Sequence, residues 1–448
     1  SIRPASAFTV TVLGANSFAP AEGISADRAN TPALAIRLQQ GSSLTLSAWG
    51  GANAVCCPAG SLTAAGPGSL KASSQEYPAL WAQKDIALED GVKAGVSSGS
   101  EAVCSASGGI AVDSASLTAC SKDAAVFAEG ASTGGACPDT SVVLRNSEVS
   151  LDTTQGCDAV WAAQGGILVE DTVLTTKANK SADLEGYSLY SAGGITIRGE
   201  HTRVQSDDGM GIVAEGGILK IEGGSIDVSS TDVALLGWDG VQVTGGTVKA
   251  HSAQNSAILA RDGAFCATGA QTSVTATSDA EPAENKAVIR NFRDGGIHLG
   301  ADVTAVSTKG GRPFEGVMKD KSTGITFGEG VSVLGASVET EDGKSYLVSA
   351  DGRPLTGAAE ACLHSWGAPA WSWAADHSSA AAVFTCAKNA SHTVEVKAAV
   401  DSAKRGNDTV YTASAVFGGK TYTDEKVVAG QTDSTPVPAQ KQNPKTGV

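Results

Sequence analysis

The chain has 448 residues and a formal net charge of −15, from 47 acidic against 32 basic residues, a balance that argues against a phosphate-binding, nucleic-acid surface. It holds no run of about 18 apolar residues that would cross a bilayer as a helix. Aromatic residues make up only 5% while Gly numbers 54, a composition suited to thin, closely stacked strands. Ser1 has no basic and apolar leader behind it, so the chain reads as trimmed or partial.

Gly194, Gly217, Gly240 and Gly263 stand 23 residues apart and open similar stretches: Gly194-Ile195-Thr196-Ile197, Gly217-Ile218-Leu219-Lys220, Gly240-Val241-Gln242-Val243 and Gly263-Ala264-Phe265-Cys266. A fixed period of this size marks one structural unit copied along the chain, each copy burying its apolar face on its neighbours. Three short strands recur per unit. The first opens with a small residue and an aliphatic one, as in Ala33-Leu34, Ala54-Val55, Ala79-Leu80, Ala102-Val103, Ala159-Val160 and Ala257-Ile258. The second follows the glycine as Ile-x-Val, with Ile86 and Leu88, Ile110 and Val112, Ile195 and Ile197. The third contributes Leu117, Val173, Val204, Ile226, Val248, Val274, Val303, Val331 and Val333. Alternation within each strand has period two, so one face points inward.

Three strands in about 22–25 residues fit one turn of a right-handed parallel β-helix better than the roughly 18-residue turn of a left-handed hexapeptide helix. The predicted architecture is all-β. Residues 1–360 form a right-handed parallel β-helix of about 11 coils, each about 23 residues, in a rod roughly 50 Å long. Residues 361–429 form a small, sandwich-like antiparallel β-module, and 430–448 a disordered stalk. Glycine pairs are expected at the corners, where the backbone takes positive φ. Glu129–Arg145 and Ser278–Lys286 exceed the period and read as loops budding from the rod.

The nine cysteines show no Cys-x-x-Cys spacing, so a zinc site is not expected. Cys56 and Cys104 fall at the same place two coils apart, about 10 Å, too far for a disulfide. Cys137 with Cys157, and Cys362 with Cys386, are the pairs that could close.

Two columns carry the functional expectations. In the first strand the aliphatic at place two points inward, so place three points out. On successive coils it reads Trp81, Cys104, Phe127, Trp161 and Tyr190, then Val213, Leu236, Leu259 and Ile289. Flat rings along a rod stack on sugar faces, which makes Trp81, Phe127, Trp161 and Tyr190 candidate glycan-binding residues. Against this stand a lateral loop covering the column, or a reversed facing that puts the rings in the core. Asp239, Asp262 and Asp294 precede the corner glycines of three consecutive coils, with Arg261 and Arg293 beside them. Carboxylates stacked at about 5 Å could hold Ca²⁺, the one cofactor the sequence suggests, or work as acid and base. Asp before Gly is equally the ordinary way to build a tight turn. The six histidines accompany no nucleophile motif, so catalysis is not the leading expectation.

After Val333 the coil pattern fades. His364-Ser365-Trp366-Gly367, Trp371, Trp373, Phe384-Thr385-Cys386 and Tyr411-Thr412-Ala413 resemble a short β-domain common in surface proteins of Gram-positive gut bacteria. Related modules carry further cysteines in this region, and in this chain Asn389 and Asn407 lie nearby instead. Trp366, Trp371 and Trp373 read either as a sugar platform or as the core of a small module. The last stretch, Asn443-Pro444-Lys445-Thr446-Gly447, follows a Pro- and Thr-rich segment and resembles the sortase recognition pentapeptide, with Asn in the place of Leu. That resemblance implies cleavage between Thr446 and Gly447 and attachment of Thr446 to peptidoglycan.

The coils, best over residues 212 to 250 with Gly216-Gly217-Ile218, Gly223-Gly224-Ser225-Ile226 and Gly245-Gly246-Thr247-Val248, resemble carbohydrate-binding, pectin-lyase-like β-helix proteins. Some of those bind calcium and acidic polysaccharide. The resemblances imply an extracellular, wall-anchored adhesin of a Gram-positive bacterium. Its implied partners are a glycan or host surface protein, a sortase and peptidoglycan, with no nucleic acid. The rival readings are a non-catalytic structural stalk, and a lyase or hydrolase of acidic glycans using Asp239 and Asp262.

Overall fold

The computed structural model describes residues 7–18, 23–25, 32–131, 139–155, 157–178, 186–207, 209–283 and 286–430. Among them every regular element is a β-strand. The chain divides into two compact units, Ser1–Leu363 and His364–Val448. The first is the expected parallel β-helix. Its three ladders each pair a strand with its counterpart one coil away, always in parallel.

The first ladder runs from Ile24–Ser25 through Val55–Cys57 and Leu80–Ala82 to Phe314–Val317. Its inward position is a column of aliphatics with no exposed surface, including Val55, Leu80, Val103, Val126, Val160, Leu189, Ile212, Leu235 and Ile258. Each such side chain contributes about 1.5–3 kcal/mol by leaving water. The second ladder includes Ile86–Glu89, Ile110–Asp113 and Ile195–Arg198; the third includes Lys93–Ser98, Ser116–Ser121 and Glu148–Thr153. In later coils the second and third strands join into one bent strand, as in Val241–Ser252 and Phe265–Ser278, with a register shift at the bend.

Several details depart from the sequence expectation. Ala33-Leu34 lies in the second ladder, where Leu34 sits between Phe8 and Leu62 in register. Ile195, Leu219, Val241 and Phe265 align across coils, so Ile218 and Ala264 fall in the turn and the distance from glycine to strand alternates by one residue. The period-two pleat forces this, because a one-residue slip would turn Leu219 outward. For the same reason Leu174, not its neighbour Val173, is the buried residue of its strand. Arg290, not Ile289, pairs with Leu259 on the outward face. Thr140–Arg145, expected as part of a loop, is the second strand of its coil. Val331 lies in a strand paired antiparallel with Ala358–Leu363. Of the four glycines that set the period, Gly240 alone takes positive φ, +123°. Gly263 is required by close approach instead: a Cβ there would sit 2.0 Å from the carbonyl oxygen of Asp239 one coil away.

Two polar columns reinforce the coil register. At the inward end of the third ladder Ser74, Ser98, Ser121 and Thr153 align, and further on Ser230, Ser252, Ser278 and Ser307. Their hydroxyls satisfy turn backbone that would otherwise be buried unpaired: Ser74 donates to Ala52 O at 2.7 Å, Thr153 to Cys157 O at 2.7 Å and Ser278 to Asn255 O at 2.6 Å. On the outward face of the second ladder Asp113, Arg145, Glu170 and Arg198 are successive register partners of alternating sign. Glu170 accepts from Arg198 Nε at 2.7 Å and Arg145 Nε at 2.8 Å, which holds its carboxyl below the usual range.

The parallel stack ends in antiparallel strands. The hairpin of Ala336–Glu341 and Lys344–Ser349 pairs with Phe314–Val317, and Ala358–Leu363 pairs with Ile297–Ser307. This cap satisfies edge groups that an open coil would present. The second unit is one antiparallel sheet of consecutive hairpins, Ala370–Trp373, Ala380–Thr385, Thr393–Arg405, Asp408–Phe417 and Lys420–Val428, rather than a two-layer sandwich. Its buried cluster is small: Ala382, Phe384 and Ala415, with Trp366, Trp371, Phe417 and Tyr422 packed around them.

Candidate functional site

The outward column of the first ladder is assembled as the alternation requires. Trp81, Cys104, Phe127, Trp161 and Tyr190 are successive register partners. Neighbouring parallel strands stand about 4.8 Å apart, which brings rings on adjacent coils into contact. Phe127 and Trp161 have centroids 5.0 Å apart at 59°, and Trp161 meets Tyr190 edge-on at 6.3 Å. Tyr187, which the sequence reading did not single out, joins the group 5.1 Å from Tyr190. The aromatics face outward: Trp161 is 40% exposed, and Trp81, Phe127 and Tyr190 are half-buried.

Acids border this column. Tyr190 Oη donates to Glu215. Burial pushes the Cys104 thiol up to about 12, and the nearby Glu101 and Glu129 add to the effect. Asp158 accepts the Tyr187 N–H at 2.8 Å, and burial pushes its carboxyl up to about 6. Beyond Tyr190 the column turns aliphatic, with Val213, Leu236 and Leu259. It closes on a buried ion pair, Arg290 Nε to Glu315 Oε1 at 3.1 Å.

Asp262 and Asp294 each have partners of their own. Asp262 faces Arg293 Nη1 at 3.3 Å and Arg261 Nε at 4.0 Å, and the Arg261 guanidinium covers the Trp238 ring at 3.8 Å. Asp294 accepts N–H groups from Lys319 at 3.3 Å and Gly295 at 2.9 Å, which lowers its carboxyl below the ordinary range. Asp239 borders a groove of about 460 Å³ floored by Gly166, Gly194 and Gly217, with Arg198 and Lys220 beside it. Within the second unit the ligand atoms of His364, Cys386 and His392 lie within 4.8 Å of one another.

Trp366 and Trp371 pack on the second unit's core, and Trp373 Nε1 donates to Asp424 at 2.8 Å. Exposed Trp49 and Tyr77, at 55% and 49%, escaped the sequence reading because they lie in turns outside the three-strand pattern. Cys137 and the pentapeptide Asn443, Pro444, Lys445, Thr446 and Gly447 lie outside the described residues.

Fold and column together define a parallel β-helix rod with an aromatic stripe on one ladder. No family model, curated protein or solved structure matches the chain.

Proposed function

We propose that the rod is a carbohydrate-binding surface, with Trp81, Phe127, Trp161 and Tyr190 as the stacking residues. The observation that carries this reading is the run of outward rings on adjacent coils, one of them 40% exposed, at a spacing set by the coil repeat. Rings offered in this way suit the apolar faces of pyranoses, and hydrophobic area left open along a rod marks an interaction surface. Glu101, Glu129 and Glu215 beside the column, and the overall charge of −15, favour neutral or amine-bearing glycans over acidic ones. The tail motif Asn443–Gly447 extends the proposal to a wall-anchored adhesin: a sortase would cleave after Thr446 and join the chain to peptidoglycan.

A glycan array probed with the full chain tests the binding reading. Saturable binding to neutral or amino sugars is expected, falling sharply in Trp161→Ala and Trp81→Ala proteins whose unfolding transitions match the parent. No binding, or binding indifferent to both changes, would overturn it in favour of a structural stalk.

A further inference from the structure

We propose that the sugar-binding surface runs on past the aromatic column, as a path along the rod for a linear, uncharged polysaccharide of about nine sugars. This rests on the glycan reading above and names the kind of glycan: a long chain, not a terminal sugar.

The path has three stretches on successive coils. The first is the column from Trp81 to Tyr190. As a stacking surface it stops there, because the next residue in register is Val213, which is buried. The binding features then move into the turn between the first and second ladders. Gly166 follows Trp161 by five residues and Gly194 follows Tyr190 by four, so these glycines lie within about 14–18 Å of the rings. Together with Gly217 they floor the groove of about 460 Å³, which Thr196, Lys220 and Asp239 border. Close coil contact keeps that floor free of side chains: a Cβ on Gly166 would lie 2.8 Å from Gly194 O, and one on Gly217 2.8 Å from Gly194 N. Thr196 and Lys220 are register partners on the outward face of the second ladder.

The third stretch opens at Trp238, next to Asp239. Trp238, Arg261 and Phe292 each directly follow a first-ladder strand. Their N–H groups bond to Ala214 O, Gly237 O and Ala260 O one coil back, at 2.9, 3.0 and 2.9 Å, so the three occupy one place on successive coils. The Arg261 guanidinium is held flat on the Trp238 ring, and Phe292, 39% exposed, lies 5.7 Å from the Arg293 guanidinium. Aromatic and arginine surface thus returns where the first column has turned aliphatic.

The length and charge of the path select the ligand. From Trp81 to Arg290 the first ladder makes eight register steps. At about 4.8 Å per step the path is about 38 Å long. A pyranose in an extended chain advances by nearly the same distance, so each coil meets one sugar. Groove and turn carry both signs, Lys220, Arg261 and Arg293 against Asp239 and Asp262. Fixed cations donate to hydroxyls and carboxylates accept from them, which suits the diols of neutral sugars. A polyanion would meet Glu215, Asp239 and Asp262 along the way.

The test is calorimetric binding of linear neutral oligosaccharides, trimer to decamer, from β-1,4-glucan, β-1,4-mannan and chitin, to the full chain. Affinity is expected to climb with length and level off at about nine sugars. Lys220→Ala and Arg261→Ala should lower affinity for the decamer about tenfold and for the trimer less than about twofold. Trp161→Ala should weaken both, and Lys249→Ala, exposed on the third ladder, neither. All four variants must unfold with the parent. Affinity that levels off at about four sugars or fewer, weakened by Trp161→Ala but not by Lys220→Ala or Arg261→Ala, would overturn the path and leave the column reading standing. Absence of binding at every length would overturn it too, and the glycan array then decides whether the column reading falls with it.

Discussion

Replacing Asp158 by Asn removes a carboxylate that the first ladder buries next to the aromatic column. Burial raises this group from the ordinary 3.8 to about 6, while the Tyr187 N–H it accepts at 2.8 Å offsets only part of the rise. A folded-state value above the unfolded one means that the folded chain binds the extra proton between about pH 4 and pH 6, so stability falls as pH rises through that window. Above it the folded protein carries the whole cost. The gap corresponds to about 3 kcal/mol at 1.36 kcal/mol per pH unit, and about 2 kcal/mol after allowance for the partial exposure of the residue. Asn keeps an acceptor for the Tyr187 N–H and carries no charge. Asp158→Asn should therefore be more stable than the parent by about 2 kcal/mol at pH 7.5 and indistinguishable from it near pH 3.5. Urea unfolding followed by tryptophan fluorescence across that range measures both ends. An advantage that is absent at pH 7.5, or equally large at pH 3.5, would refute the assignment of the shift to burial.

The close approach of the coils predicts that Gly263→Ala destabilises the rod by about 1–3 kcal/mol in urea unfolding, because its Cβ would meet Asp239 backbone at 2.0 Å. Gly95→Ala, where the nearest atom is a flexible Lys71 carbon at 3.9 Å, should be neutral or stabilising; similar losses at both would discount coil contact as the reason for glycine. Incubation with a sortase and an amine nucleophile should cleave the chain between Thr446 and Gly447, and Thr446→Ala should resist. An intact chain in both cases removes the anchoring proposal.

The repeat was legible because burial on a parallel coil leaves the same mark each time: a small residue, then an aliphatic that must point inward, as at Ala79-Leu80 and Ala159-Val160. The facing of Trp81 and Trp161 follows directly from that mark. Errors arose where two adjacent residues satisfied it equally. Val173 and Leu174 are both aliphatic, and only pairing with Val149 and Val204 decides which turns in. Val288-Ile289 shifted the column by one place and hid Arg290. Ala33-Leu34 has the composition of the first ladder but the partners of the second. The Cys and His group was invisible for a different reason. Its members His364, Cys386 and His392 are adjacent through a hairpin and a bridge, so their spacing along the chain does not follow the Cys-x-x-Cys rule by which such sites are usually sought.

The central claim is that outward rings on the first ladder grip sugar. Calorimetric titration of an oligosaccharide selected on the array, into parent, Trp161→Phe and Trp161→Ala proteins, tests it most directly. The account predicts an affinity largely kept by Phe and weakened about tenfold or more by Ala, a loss of about 1.4 kcal/mol or greater. Equal affinity in all three proteins would contradict it.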